Sequence, residues 1–309
     1  MTLALGRVAL AAAVLFLSAC GGTSEPPAAE PESAPAAAAA PERKVIEEAV
    51  AEAAPTAGSL ASARLPARGD LDAMAARRYL RVLVAPSRTY YFIDNNLQRG
   101  ATYDTGVAFA RFVTARLGSG QPSITVVFIP TPEDALVNDL LAGRGDIAAN
   151  LRQTFERDDQ VAFATPTLTG IRELIVTGSS QRPLVSLEDV GGRAIHVRKS
   201  SDHHASLVRL NDQLKQINRP PSWIVFADER LTDEDLLDRV NEGTFPATLA
   251  DDYVFAARGR ELTSVVANKD VAVSQDGILA WAMRKDSPKL VALVNEFLKS
   301  HDLARAGDR

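Results

Sequence analysis

The sequence predicts an α/β fold divided into two lobes, and three observations carry that reading. Beyond Gly69, short apolar runs alternate with amphipathic segments of helical period. The first elements run helix, strand, helix, strand, helix, strand, which implies a parallel sheet with right-handed crossovers. A second strand and helix set follows, and the total suits two lobes better than one large sheet. Composition agrees, because 309 residues at 46% hydrophobic and 24% charged supply one or two ordinary globular cores.

In order along the chain, Asp70 to Arg78 reads as a short helix and Leu80 to Ala85 as an apolar strand. Asp104 reads as the cap of a helix to Leu117, since Phe109, Phe112, Val113 and Leu117 recur at three- and four-residue spacing. Gly118 and Gly120 end it. Ile124 to Ile129 is a continuous apolar run of the kind buried in parallel sheets. Pro132 opens a helix over Glu133 to Ala142, Gly143 stops it, and Ile147 to Ala149 is the next strand.

The second set begins with strands at Glu173 to Thr177 and Ala194 to Val197, then a helix from His203 to Ile217. Trp223 to Ala227 reads as a strand, Thr232 to Asn241 as a helix, and Ala247 to Ala250 as a short strand. A helix from Asp251, strands near Leu262 to Val266 and Ile278 to Met283, and a last helix over Ser287 to Ser300 complete the pattern.

The N-terminal part differs. Arg7 precedes a charge-free apolar run, Val8 to Leu17, which is shorter than the roughly 20 residues of a membrane span. It fits the apolar region of a secretory signal. Leu17-Ser18-Ala19-Cys20 looks like a bacterial lipobox, and Cys20 is the one cysteine of the chain, so no internal disulfide or cysteine metal cluster is possible. Residues 1–20 are therefore expected to be a lipoprotein signal, with lipid on Cys20. Gly21 rather than Asp after the cysteine favours the outer membrane. Residues 21–69, rich in Ala, Pro and Glu, are expected to form a disordered tether. A net charge of -5 and a pI near 5.5 carry no nucleic-acid footprint.

Several short segments carry a resemblance. Tyr79-Leu80-Arg81-Val82-Leu83-Val84, Thr89-Tyr90-Tyr91 and Tyr103-Asp104 lie in the first half. Gly145-Asp146-Ile147-Ala148-Ala149 leads to Thr154-Phe155-Glu156-Arg157 and Phe163-Ala164-Thr165-Pro166. Thr232-Asp233-Glu234-Asp235-Leu236-Leu237 and Leu279-Ala280-Trp281-Ala282-Met283-Arg284 follow. In this order and spacing, residues 70–300 resemble the type 2 periplasmic solute-binding proteins, family 3, of amino-acid-binding type. Within that group they are most similar to the binding module of membrane-bound lytic transglycosylase F. The resemblance implies a discontinuous lobe 1 (70–166 plus 260–300), an inserted lobe 2 (167–259), a two-strand hinge, and a tail at 301–309.

What the resemblance implies about binding is specific. Arg157 of the Thr-x-x-Arg element would grip a solute carboxylate, a task that suits the planar guanidinium fork; the alternative is a surface pair with Glu156 or Asp158. Asp251 would receive a solute ammonium, although it also reads as a helix cap and Asp252 is a rival. Ser200 and Ser201 precede a helix whose free amides could take a carboxylate, or they simply cap it. Tyr90 or Tyr91 would line the cleft, at most one of them, since neighbours in an extended loop point opposite ways. Asn150 and Arg152 stand where the family shows Gly and a small hydroxyl residue, which implies a more basic or reshaped pocket.

No catalytic constellation accompanies these residues. His203 and His204 read as a solvated pair, because helix neighbours point about 100° apart and do not chelate together; His196 reads as structural. Neither a Gly-x-Ser-x-Gly element nor a phosphate loop appears, and no cofactor is expected. Asp158-Asp159 and Asp251-Asp252 are merely adjacent in sequence. The transglycosylase relatives place a lysozyme-like domain after the binding module, and a domain of over ~50 residues is not expected beyond Ser300. The expected function is capture of a small carboxylate-bearing solute, such as an amino acid or peptidoglycan-derived peptide, for an ABC permease or for sensing. The alternatives are a lytic transglycosylase and a non-catalytic docking partner of a cell-wall enzyme.

Overall fold

A computed structural model of the chain describes residues 62–118 and 123–301. The expected signal segment with Cys20, the tether as far as residue 61 and the tail from residue 302 lie outside the described residues.

Asp70 accepts the Leu71 amide and caps α1 (Leu71–Arg77). Every residue of β1 (Tyr79–Val84) is buried. A loop carrying the hairpin β2 (Phe92–Asp94) and β3 (Leu97–Arg99) leads to α2 (Ala101–Leu117). This helix starts one turn before the expected cap at Asp104. Gly100 caps it instead, at φ 109°, where an added Cβ would meet the Tyr90 carbonyl oxygen at 2.3 Å. Asp104 sits in the first turn, where a negative charge suits the helix dipole.

β4 (Thr125–Pro130) and β5 (Ile147–Arg152) flank β1, both parallel to it. Between them, Glu133–Ala135 form one 3-10 turn that runs into α3 (Leu136–Leu141). Alternation along β1 divides the core. Leu80, Val82 and Val84 pack with α2 and with α8 (Pro288–His301), whereas Leu83 meets Leu136 and Leu140 on the other face.

Arg81 is the exception in this apolar strand, with no exposed surface. A buried guanidinium must be paired. Asp146 takes its Nη2 at 2.9 Å and also accepts from Arg77 and the Arg81 amide. Burial alone would raise the Asp146 carboxyl, but the bonds from Arg81 and Arg77 outweigh it and hold it below the usual range. The remaining Arg81 donors reach the carbonyls of Leu65 and Ala67, both at 2.8 Å. Residues 62–69, read from the sequence as the end of the tether, are therefore held on the lobe, and Ala63 is buried.

After α4 (Phe155–Asp158) and β6 (Ala162–Phe163), β7 (Leu168–Gly178) carries the chain into lobe 2. There β8 (Ala194–Val197), α5 (Asp202–Gln216), β9 (Trp223–Phe226), α6 (Asp233–Asn241), β10 (Ala247–Asp251) and α7 (Asp252–Arg258) follow. β8 pairs in parallel with both β9 and β10, and β10 runs antiparallel to β7. Lobe 2 has its own core, including Ile175, Ile195, Leu207 and Leu249 on one face and Val176, Leu237 and Val254 on the other.

The two strands expected near Leu262 and Ile278 are one, β11 (Val265–Met283). Its first part pairs with β7 and its last part with β5 and β6. Val271 packs in the core of lobe 2, so the return to lobe 1 lies inside β11 rather than at residue 260. Repeated register shifts from Ala267 to Leu279 let so long a strand bend from lobe to lobe. β7 and β11 are thus the two crossings. No helix among the described residues is long and apolar enough to cross a membrane.

Candidate functional site

The carboxyl ends of parallel strands are where α/β sheets leave a crevice. Here the turns after β1, β4, β8, β9 and β10 converge between the lobes and enclose a cavity of about 80 Å³. Its wall is dominated by charge, with Arg152 and Glu133 from lobe 1 facing Arg198, Asp202, Asp233 and Asp251 from lobe 2.

Arg152 ends β5 and reaches across to the start of α7. Its Nη2 lies 2.6 and 2.7 Å from the two Asp251 oxygens and 3.6 Å from Glu173. Burial would raise the Asp251 carboxyl; the His203 and Arg152 contacts reverse that and hold it below the usual range. Gly277 makes room for this guanidinium, because a Cβ there would stand 2.4 Å from Arg152 Nη1. Arg157, placed on α4 by the Thr154 cap, grips Asp202 with both terminal nitrogens, at 2.9 and 2.7 Å. Asp202 in turn stands 3.9 Å from Arg152 Nε.

Further contacts join the lobes. Glu133 stands 3.4 Å from the Asp202 amide at the start of α5, and 3.3 Å from Arg198. Burial, with Asp202 and Asp233 nearby, pushes its carboxyl up to about 7. Glu234, in the first turn of α6, accepts from Ser87 Oγ at 2.8 Å and from the Thr89 amide and hydroxyl at 3.0 and 2.9 Å. Arg88 pairs with Asp235 and Asp238. Tyr90 meets Tyr253 with ring centroids 5.7 Å apart, and burial pushes its hydroxyl up to about 12.

His203 is buried between Asp251 and Asp233, at 3.4 and 3.9 Å. Burial would lower its imidazole, but Asp233 and the bond to Asp251 raise it to about 10, so it is a cation at neutral pH. The donor atoms of Glu173, His203 and Asp251 converge within 4.8 Å. The cation between two of these groups is the protein's own Arg152.

A family model described as bacterial extracellular solute-binding proteins, family 3, matches residues 80–303. The chain belongs to that family. Similar curated proteins are the membrane-bound lytic murein transglycosylases F of Desulfosudis oleivorans, 26% identical over 70% of this chain, and Idiomarina loihiensis, 27% identical over 73%. The chain spans about half the length of these relatives, 44% and 48% respectively. Among solved structures, an ancestral amino acid-binding protein, a precursor of cyclohexadienyl dehydratase, superposes with a TM-score of 0.61 at 22% identity. That match covers 77% of this chain and 95% of the other. An amino acid transporter substrate-binding protein of Streptococcus pneumoniae, bound to L-arginine, gives 0.61 at 17% identity, with coverage of 77% and 94%. At these identities the likeness is one of fold, and the fold is the two-lobed type II binding-protein architecture expected from the sequence.

Within the family-3 frame, the residues singled out from the sequence fall in different places. Arg152 and Asp251 meet in the cavity wall, and Tyr90 also lines it. Tyr91 does not; it is buried against Phe128 and donates to Gln98. Arg157 does not line the cavity either, being bound to Asp202. Ser201 caps α5, and the Ser200 hydroxyl donates to Glu229. Asn150 sits at φ 52°, a conformation that asparagine tolerates better than most residues, and it donates to Thr102 at 2.6 Å. His203 corrects the solvated reading: it faces inward on α5, while His204 packs beside Phe226. His196 stacks on Phe245.

Sequence reasoning missed Glu133, Arg198, Asp233, Glu234 and Tyr253. The signal was available. Glu133, Arg198 and Tyr253 follow closely on a strand's carboxyl end, and Asp233-Glu234-Asp235 is more negative charge than a helix start needs.

Proposed function

We propose that this chain is a lipid-anchored binding module of the cell envelope whose lobes close on a small zwitterionic solute, an amino acid or a peptidoglycan-derived peptide, for transport or sensing. One observation carries the reading: Arg157 on lobe 1 and Asp251 on lobe 2 end a single row of ion pairs across the cleft, one able to take a carboxylate and the other an ammonium. Binding rather than catalysis is further supported by the family description and by solved relatives whose names describe amino-acid binding. An ABC permease is the partner for transport. The anchor rests on Cys20 at the end of the apolar run, and Gly21 favours the outer membrane.

Calorimetry with amino acids and muropeptides tests the reading. Arg157→Ala is expected to weaken carboxylate solutes by about one to three powers of ten. Failure of every such solute to bind would refute it. Cys20→Ser should abolish palmitate labelling and release the protein from membranes.

A second reading, a non-catalytic partner of a cell-wall enzyme, is favoured by the lytic murein transglycosylases among the relatives. Co-purification with a murein hydrolase from cross-linked cells, together with an unresponsive cleft, would favour it over solute capture.

A further inference from the structure

Four charges stand in alternating order across the cleft: Arg157, Asp202, Arg152, Asp251. The outer two belong to opposite lobes, and so do the inner two. An α-amino acid joins a carboxylate to an ammonium through one carbon. Laid between Arg157 and Asp251, it would present its carboxylate to the first and its ammonium to the second. Asp202 and Arg152 already present a carboxylate and a guanidinium there, with their charged atoms 3.9 Å apart. On the basis of the solute site proposed above, we infer that Arg152 and Asp202 act together as a built-in stand-in for the solute and close the lobes without it.

The geometry favours this role over ordinary surface pairing. Arg152 starts in lobe 1 and ends on Asp251 of lobe 2, while Asp202 starts in lobe 2 and ends on Arg157 of lobe 1. Side-chain exposure is only 11% and 7% in the first pair and 16% and 20% in the second, so solvent screens both weakly. A group removed from water must keep a partner, so an incoming zwitterion has to re-pair whatever it displaces.

The site contains the acceptor such an exchange requires. Glu173 is buried, its Oε1 lies 3.6 Å from Arg152, and its Oε2 has no hydrogen-bond partner. A buried carboxylate oxygen without a donor is costly. It becomes satisfied if Arg152 turns from Asp251 to Glu173 when an ammonium takes its place. The solute therefore competes with an internal pair, and its apparent affinity is reduced by the fraction of molecules already closed.

The test combines a shape measurement with a binding measurement. Small-angle scattering is recorded on the wild-type protein that native mass spectrometry shows to carry no bound small molecule, and on Arg152→Gln/Asp202→Asn. Wild type is expected to scatter as the closed form, with no change on adding alanine, in either enantiomer, or other proteinogenic amino acids one at a time. The double variant should show a larger radius of gyration and bind at least one of these zwitterions about tenfold more tightly than wild type. Should the double variant not fold, Asp202→Asn alone must show the same two changes in direction.

An open solute-free wild type overturns the inference, as does a double variant that remains closed. Tight wild-type binding that the double variant loses also overturns it, since the pair would then be contacting the solute, and the binding reading would stand. A double variant that opens yet binds no zwitterion leaves the internal closure established and defeats the solute reading instead.

Discussion

Arg152 and Asp251 join the two lobes at the centre of the cleft, with one guanidinium nitrogen 2.6 and 2.7 Å from the two carboxylate oxygens. Arg152 is also the cation nearest the buried Glu173. Replacing it by Ala leaves the buried Glu173 without its nearest cation and Asp251 with His203 as its remaining cationic partner, and breaking a buried pair from one side costs about 3–5 kcal/mol. Arg152→Ala should therefore lower the urea midpoint sharply. Arg152→Ala/Asp251→Ala should be less damaging than Arg152→Ala alone. Equal or greater damage in the double variant would show that the cost is lost packing rather than an unpaired charge.

His203 makes stability depend on pH. Its imidazole rises from 6.5 to about 10 in the fold, against Asp233 on α6, Asp251 at the end of β10 and Glu173 on β7. The folded protein holds the proton more tightly than the unfolded chain. Its contribution is therefore complete below pH 6.5 and lost as pH rises through about 10. Glu133 acts in the same direction lower down, because its carboxyl rises from 4.5 to about 7. The unfolding free energy from urea titrations should decline from pH 6.5 to 10, by an amount on the order of a few kcal/mol. His203→Gln should flatten that decline, and a wild-type curve without slope over this range would contradict the assignment.

How much of this was legible in the sequence depends on the scale of the interaction. Apolar alternation and helical spacing are local, so β1, α5 and α8 were readable from segments such as Leu80 to Val84 and Leu290 to Leu298. The union of two expected strands into β11 was not, since residues 267–277 carry Asn, Lys, Asp, Gln and Gly where a strand signal is weak, and pairing with β7 overrides it. Arg157 and Asp251 were singled out by resemblance. Arg152 was singled out as well, but the pairings were not legible, because Asp202 lies 45 residues from Arg157 and Arg152 lies 99 residues from Asp251 along the chain. His203 shows the same limit. Which face of α5 turns inward depends on the lobe opposite, which no local pattern reports.

Asp146 is a separate test of what holds lobe 1. It sits in a segment shared with the family, yet its role here is structural: it neutralises Arg81 and Arg77 and ties residues 62–69 indirectly to the lobe through Arg81. Asp146→Asn keeps the shape and removes the charge, so about 3–5 kcal/mol should be lost in chemical denaturation. Proteolysis should also begin earlier near residues 62–69. An Asp146→Asn protein as stable as wild type would show that the Arg81 carbonyl contacts suffice alone.

Glu234 is expected to latch the lobes independently of the central row. One of its oxygens receives Ser87 Oγ, the Thr89 amide and the Thr89 hydroxyl, all from the loop after β1 in lobe 1. Bonds to a charged acceptor contribute about 1.5–3 kcal/mol each and do not add simply when they share one atom. A double-mutant cycle with Glu234→Gln and Ser87→Ala separates the latch from general packing. A coupling of about 0.5–3 kcal/mol in thermal or urea unfolding is expected for residues in such contact. Arg152→Gln in place of Ser87→Ala should couple to Glu234→Gln far more weakly, because the two share no partner. A coupling near zero for Glu234 with Ser87 would mean that the loop after β1 does not hold the lobes together.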